Sequence, residues 1–147
     1  MAVIELDGFK KFSNEREIKL PGIDKTWKVK FDDQYRVQSS LIASEVDKLY
    51  REQSSSNYED ELLKMTPAER KKRLTADLGK FKKACVDGLS TLLQDDKAGE
   101  EIYEAMGEST EVCAQIIGKI NDICEKVLDV TKQKEEDNKA SKYDTER

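Results

Sequence analysis

The residues that could perform chemistry in this chain are paired acids, three cysteines and one run of bases, and there is no histidine. Without histidine, the Ser–His–Asp and Cys–His arrangements, His-ligated zinc and the usual general base are all excluded. The acid pairs at 32–33, 95–96 and 100–101 stand where helices are predicted to begin, and negative charge is favourable there. An enzyme that uses only carboxylates stays conceivable, but these polar stretches do not predict the burial that activates an acid. We therefore predict a protein that is not an enzyme and holds no cofactor.

The cysteines Cys85, Cys113 and Cys124 are odd in number and show no paired spacing. Three dispersed thiols cannot form a four-cysteine zinc site or a common iron–sulfur cluster. Each lies within an apolar helical stripe, which is typical of small buried side chains in a reducing cytoplasm. We therefore predict no metal site.

The run of bases at 70–73 lies in the first turns of a predicted helix, where the helix dipole disfavours positive charge. Phosphate binding is one interpretation of such a run. The net charge of −5 and the lack of an interleaved aromatic residue argue against nucleic acid. A solvated face, or pairing with the acidic segment 96–111, is the favoured interpretation, so we expect no nucleic-acid partner.

The clearest strand signal is "TWKVKF", in which Trp27, Val29 and Phe31 share one face. A five-residue connection at 21–25 lets this strand pair antiparallel with residues 16–20. A two-stranded ribbon is marginal in water, so it must pack on a helix or on a partner.

Four main helices are predicted after the ribbon from their capping residues and apolar periodicity, with a weaker helical piece at 59–64. Their predicted starts are Asp32 or Asp33, Thr66, Asp95 or Asp96, and Ser109, with 53–58 as a polar linker and Gly107 as a stop. The predicted buried stripes are Val37, Leu41, Ile42, Val46, Leu49 and Tyr50; then Leu74, Leu78, Phe81, Cys85, Leu89 and Leu92; and finally Val112, Cys113, Ile116, Ile117, Ile120, Ile123, Cys124, Val127, Leu128 and Val130.

These elements predict a mainly α fold, a helical bundle of about four helices preceded by a small N-terminal antiparallel β-ribbon. We divide the chain into a β-ribbon at 1–33, a helical domain at 34–131 and a charged, flexible tail at 132–147. The N-terminus has no signal-peptide pattern and no apolar run approaches the ~20 residues of a membrane span. We expect a soluble intracellular protein with no membrane partner.

Two features could bind a protein partner. Trp27 either packs the ribbon against the first helix, near Tyr35, Val37 and Leu41, or faces a partner, since tryptophan is enriched at interface hot spots. The last helix has a stripe wide enough to serve the core or to support self-association. The candidate partner-binding residues are Trp27, Val29, Phe31, Tyr35, Ile116, Ile120, Ile123 and Val127.

The segment "IELDGFKKFSNEREIKLPGIDKTWKVKFDDQYRVQ" (4–38) resembles small proteins of tailed phages that infect Gram-positive bacteria, in particular the tail assembly chaperone family. Phe31-Asp32-Asp33 matches the family's step from a short strand set into a charged helical body. The resemblance implies a chaperone in the host cytoplasm that binds the tape measure protein and the tail tube protein. Such a chaperone keeps them soluble and promotes tube polymerisation. No individual functional residue is carried over from the family.

Two other functions remain open at this point. The chain could be a structural tail or connector component of the virion. It could also be a cytosolic helical adaptor or regulatory protein that uses the bases at 70–73.

Overall fold

Two short strands and five helices follow one another along residues 2–6, 9 and 12–129, which are described by a computed structural model. They are β1 (Glu15–Lys19), β2 (Thr26–Lys30), α1 (Asp33–Gln53), α2 (Ser56–Leu63), α3 (Pro67–Leu92), α4 (Ala98–Ala105) and α5 (Thr110–Leu128). The predicted fold class, mainly helical with an N-terminal antiparallel ribbon, is confirmed. α2 corresponds to the weaker helical piece predicted at 59–64, but it begins at Ser56, inside the predicted linker. Val130 and the predicted tail at 132–147 lie outside the described residues.

The helix starts show where local sequence signals determine structure. Asp32 caps α1, Thr66 caps α3 ahead of Pro67, and Ser109 caps α5, each by accepting a backbone N–H bond as predicted. The prediction for α4 is wrong, because the cap position is Lys97, whose side chain makes no capping bond within the described residues. The Asp95 side chain instead accepts hydrogen bonds from Lys25 and Trp27 of the ribbon.

The ribbon and the helices share one hydrophobic core. Ile18 lies opposite Trp27 in the antiparallel pair, and the Phe31 N–H extends the pairing with a 2.8 Å bond to the Asn14 carbonyl. The apolar face of β2 packs in the same cluster as Leu89 and other residues of α3, α4 and α5. The ribbon is therefore stabilised by its own helices, as a two-stranded unit requires.

α3 is the central helix, and α1, α4 and α5 all pack against it. Its C-terminal half is buried, whereas its first half is flanked by α1 and bonded through side chains to α2. Leu74 and Leu78 in that first half are exposed, so their predicted burial is wrong. The apolar stripe runs along the whole of α3, but within the described residues α4 and α5 do not extend over its first half.

The outer face of α1 gives a second correction. Val37, Leu41 and Tyr50 are exposed, although their spacing predicted burial. α1 touches its neighbours through a narrower face, on which Ile42 and Val46 are half-buried against the core.

The Asp95 carboxylate joins the ribbon to the turn between α3 and α4. The Trp27 indole N–H donates to Asp95 Oδ2 at 3.0 Å, and Lys25 Nζ donates to the same oxygen at 2.7 Å. The Lys97 N–H donates to Asp95 Oδ1 at 3.0 Å. Trp27 is therefore held by the α3–α4 turn, and its predicted packing against Val37 and Leu41 is wrong.

Protonation of Asp95 should weaken the fold in acid. The Lys25 bond, followed by the Trp27 and Lys97 bonds, holds the pKa of Asp95 well below its usual range. This carboxylate therefore stabilises the native state above the unfolded-state pKa of about 3.9. That stabilisation is lost as the pH falls through this value toward the folded pKa.

We expect Asp95→Asn to lower the free energy of unfolding at pH 7, with the difference from the wild type shrinking as the pH falls below about 4. Urea unfolding followed at a series of pH values measures this difference. Asp96→Asn is the matched control, because no hydrogen bond between its carboxylate and the ribbon is present in the described residues. A difference that does not change with pH would contradict the role given to Asp95.

Some of the helical glycines lie where two helices pack closely, and others lie on open surface. A Cβ at Gly99 would overlap the backbone carbonyl of Val86, and the Gly99 N–H donates to Ser90 Oγ at 2.9 Å. A Cβ at Gly88 would lie 2.7 Å from Ile42 Cγ2. Gly88 therefore lies where α1 packs closely on α3, whereas a Cβ at Gly79 would meet no described atom within 4 Å.

We predict that Gly99→Ala lowers the free energy of unfolding by about 1–3 kcal/mol, because the α3 backbone cannot move away from the added methyl group. Gly118→Ala on the open face of α5 is the control and should raise stability by about 0.5–1 kcal/mol. Urea denaturation measures both values. Equal effects of the two substitutions would show that α4 does not pack this closely on α3.

Candidate partner-binding groove

The predicted partner-binding residues do not form one surface. Six of them are buried in the chain's own core: Trp27, Val29, Phe31, Tyr35, Ile120 and Val127. Ile116 is half-buried, and Ile123 is 37% exposed. A partner could therefore reach most of this set only after the core had opened.

Another apolar surface is open in the described structure. A groove of about 740 Å³ lies between the C-terminal end of α1, the middle of α3 and the start of α5. Its floor and walls are formed by Tyr50, Leu78, Phe81, Tyr103 and Ala114. Its rim is polar and is formed by Gln53, Ser54, Glu108, Glu111 and Gln115.

The lengths of the helices explain why this space is open. α3 has 26 residues and is about 39 Å long at 1.5 Å per residue, whereas α5 has only 19. α1 and α5 both pack on α3, but α5 begins beside its middle. The start of α5 is fixed by the turn after α4, in which Gly107 has a φ of +75°. The Glu108 N–H closes this turn with a 2.8 Å bond to the Tyr103 carbonyl.

The groove floor exposes large apolar side chains to solvent. Tyr50 is 62% exposed and Leu78 is 55% exposed, and Leu74 continues the exposed face of α3. The Tyr103 ring forms one wall, with Lys82 Nζ 4.2 Å from the ring centroid. Contiguous apolar surface with a polar rim is typical of a protein-binding site.

The groove is also asymmetric in charge. Glu108 and Glu111 lie on one side, at the start of α5, where the helix dipole favours negative charge. Lys82 contacts the Tyr103 ring but is not one of the residues that line the groove. An apolar segment with adjacent positive charge would therefore find both contact area and a favourable potential at the α5 edge.

Other charged clusters in the described residues join helices to one another. Asp77 Oδ2 accepts 2.8 Å bonds from the Tyr58 hydroxyl and from Arg73 Nε, which ties α2 to α3. Burial opposes ionisation of Asp77, but these two bonds lower its pKa overall. Arg70 donates to the carbonyls of Leu62 and Met65 at the end of α2.

The bases at 70–73 therefore divide between two roles. Lys71 and Lys72 are exposed, as expected for a solvated face. Arg70 and Arg73 contact α2 and not the acidic segment at 96–111, so that part of the expectation is wrong. Across the described residues, no group of three or more acids and cysteines is placed to hold a metal ion.

The three thiols are buried, as predicted. Burial raises the pKa of Cys85 to about 12 and also raises the pKa of Cys113 and Cys124. No helix within the described part of the chain is long and apolar enough to cross a membrane.

The exposure of the groove can be tested before any partner is known. We predict that Leu78→Glu changes the free energy of unfolding by less than about 0.5 kcal/mol, since surface substitutions rarely do more. Leu89 lies on the same helix but is fully buried, so Leu89→Ala should cost about 2–5 kcal/mol. Urea unfolding of both variants provides the comparison. A large loss for Leu78→Glu would mean that this side chain is buried after all.

Comparison with family models, curated proteins and solved structures gave no match for this chain. Its function is therefore inferred from the chemistry of the groove and from the resemblance of residues 4–38.

Proposed function

We propose that this chain is a chaperone that binds apolar helical segments of its clients in the groove between α1, α3 and α5. The proposed clients are the tape measure and tail tube proteins, as the resemblance to tail assembly chaperones implies. The single observation that supports the proposal is the apolar groove that the helices leave open. Activity by binding in the host cytoplasm, without catalysis, is part of the same proposal.

The shape of the groove suits a helix as its occupant. Its walls are themselves helices, so a client helix could lie beside α3 where α5 does not extend. Such a helix would present apolar residues at i, i+3 or i+4, and i+7 to the groove. The rings of Tyr50, Phe81 and Tyr103 supply the aromatic contact area that commonly dominates binding energy.

The composition suits a protein that must cover the apolar surface of another. Charged residues make up 39% of the chain, against about 25% in average globular domains. A complex covered by such a surface, with a net charge of −5 from the chaperone, would resist association with further copies.

Co-expression with the neighbouring tape measure and tube genes tests the proposal. We expect the wild type to raise the soluble fraction of a client and to co-purify with it. The groove variant Tyr50→Glu/Leu78→Glu should weaken capture at least tenfold, because each lost hot-spot contact costs more than about 1 kcal/mol.

The variant Val37→Glu/Leu41→Glu is the matched control, since these residues are equally exposed but do not line the groove. It should capture clients as the wild type does. If neither client is solubilised or retained by the wild type, the proposed function is wrong. Mass spectrometry of purified virions tests the alternative of a structural tail component, which predicts the protein in finished particles.

A further inference from the structure

We infer that the N-terminal arm of one copy, residues 2–12, packs its apolar side chains into the groove of a second copy. This inference uses the same groove as the proposed function but does not depend on any client. Its occupant is a segment of this chain, supplied by another molecule.

The arm places five exposed apolar side chains within ten residues. The exposed fractions are 87% for Val3, 85% for Ile4, 69% for Leu6, 57% for Phe9 and 39% for Phe12. Such a concentration of exposed aliphatic and aromatic residues is typical of a segment that another surface covers.

The backbone of the arm groups these side chains. The Phe9 N–H donates to the Leu6 carbonyl at 3.1 Å, and the Phe12 N–H donates to the Phe9 carbonyl at 3.3 Å. Side chains three residues apart are aligned in turns of this span. The two bonds therefore keep Leu6, Phe9 and Phe12 close together along the backbone, so the arm offers three large apolar side chains within a short span.

The charges of the two surfaces are complementary. The sequence places two lysines between Phe9 and Phe12. The α5 edge of the groove carries Glu108 and Glu111. Aromatic residues adjacent to lysines would therefore meet an aromatic floor with an acidic rim.

The two phenylalanines of the arm cannot both reach the Tyr50 end of the groove in their own molecule. The C-terminal end of the arm is attached to the ribbon at Asn14. The Phe31 N–H donates to the Asn14 carbonyl at 2.8 Å. Tyr50 lies 17 residues along α1 from Asp33, or about 26 Å at 1.5 Å per residue. Phe9 is five residues before Asn14 and reaches about 18 Å at most, even when fully extended. Phe12 is two residues before Asn14 and reaches about 7 Å at most, so the two phenylalanines together can pack at the Tyr50 end only in another copy.

Sedimentation velocity of the full-length chain over a wide range of concentration tests the inference. We expect the wild type to associate as its concentration rises. The arm variant Phe9→Glu/Phe12→Glu and the groove variant Tyr50→Glu/Leu78→Glu should each weaken association at least tenfold. The control Val37→Glu/Leu41→Glu should associate as the wild type does, because it leaves both surfaces intact.

Mixing the two defective variants gives the sharper result. The arm variant keeps an intact groove and the groove variant keeps an intact arm, so the mixture should form a 1:1 pair although neither associates alone. Glu108→Lys/Glu111→Lys should weaken association, and Lys10→Glu/Lys11→Glu in the mixed partner should restore it.

A wild type that stays monomeric throughout, an arm variant that associates normally, or a mixture that forms no pair would each overturn the inference. The test is separable from that of the proposed function. The arm variant should still capture clients, because its groove is unchanged. Loss of client capture with association intact would count against the proposed function alone.

Discussion

The bond between the Trp27 indole and the Asp95 carboxylate is the interaction on which the remaining architecture depends. The ribbon is too small to be stable alone, and its largest apolar side chain carries an N–H that must be satisfied when buried. Asp95 satisfies it at 3.0 Å and is itself held by Lys25 and Lys97. The turn after α3 positions Asp95, and in this turn Gln94 adopts a left-handed φ of +53°. An unfavourable backbone conformation at one residue thus fixes where the ribbon joins the helices.

The position of the ribbon determines the course of α1, and the course of α1 opens the groove. Phe31 and Tyr35 follow β2 into the core, with their ring centroids 4.9 Å apart in an edge-to-face arrangement. Burial raises the pKa of Tyr35, so its hydroxyl stays protonated and donates to Asn121 Oδ1 at 3.0 Å. This bond fixes the start of α1 against the middle of α5. α1 then runs beyond the start of α5, so its last turns and the middle of α3 share a space that no described helix fills.

The sequence predicted the features that neighbouring residues determine. The cap at Thr66 and the alternation around Trp27 are local, because their hydrogen bonds and faces involve residues a few positions apart. The exposure of Leu78 could not be predicted from its apolar stripe, because an apolar helix face is buried only where a neighbouring element reaches it. The prediction that Asp95 caps α4 was wrong, because two residues about seventy positions away, Lys25 and Trp27, bond its carboxylate. The lengths of the predicted helices contained the one available signal for the groove, since α3 is much longer than α5.

An arm and a client that use the same groove must compete for it. Binding of the arm would lower the apparent client affinity by the fraction of grooves that it occupies. That fraction rises with the chain's own concentration, whereas client binding releases arms and shifts the population toward free copies. Exposed apolar surface on the arm and in the groove would then be covered in the absence of a client and available in its presence. This reconciles two apolar surfaces with a chain whose remaining exterior is densely charged.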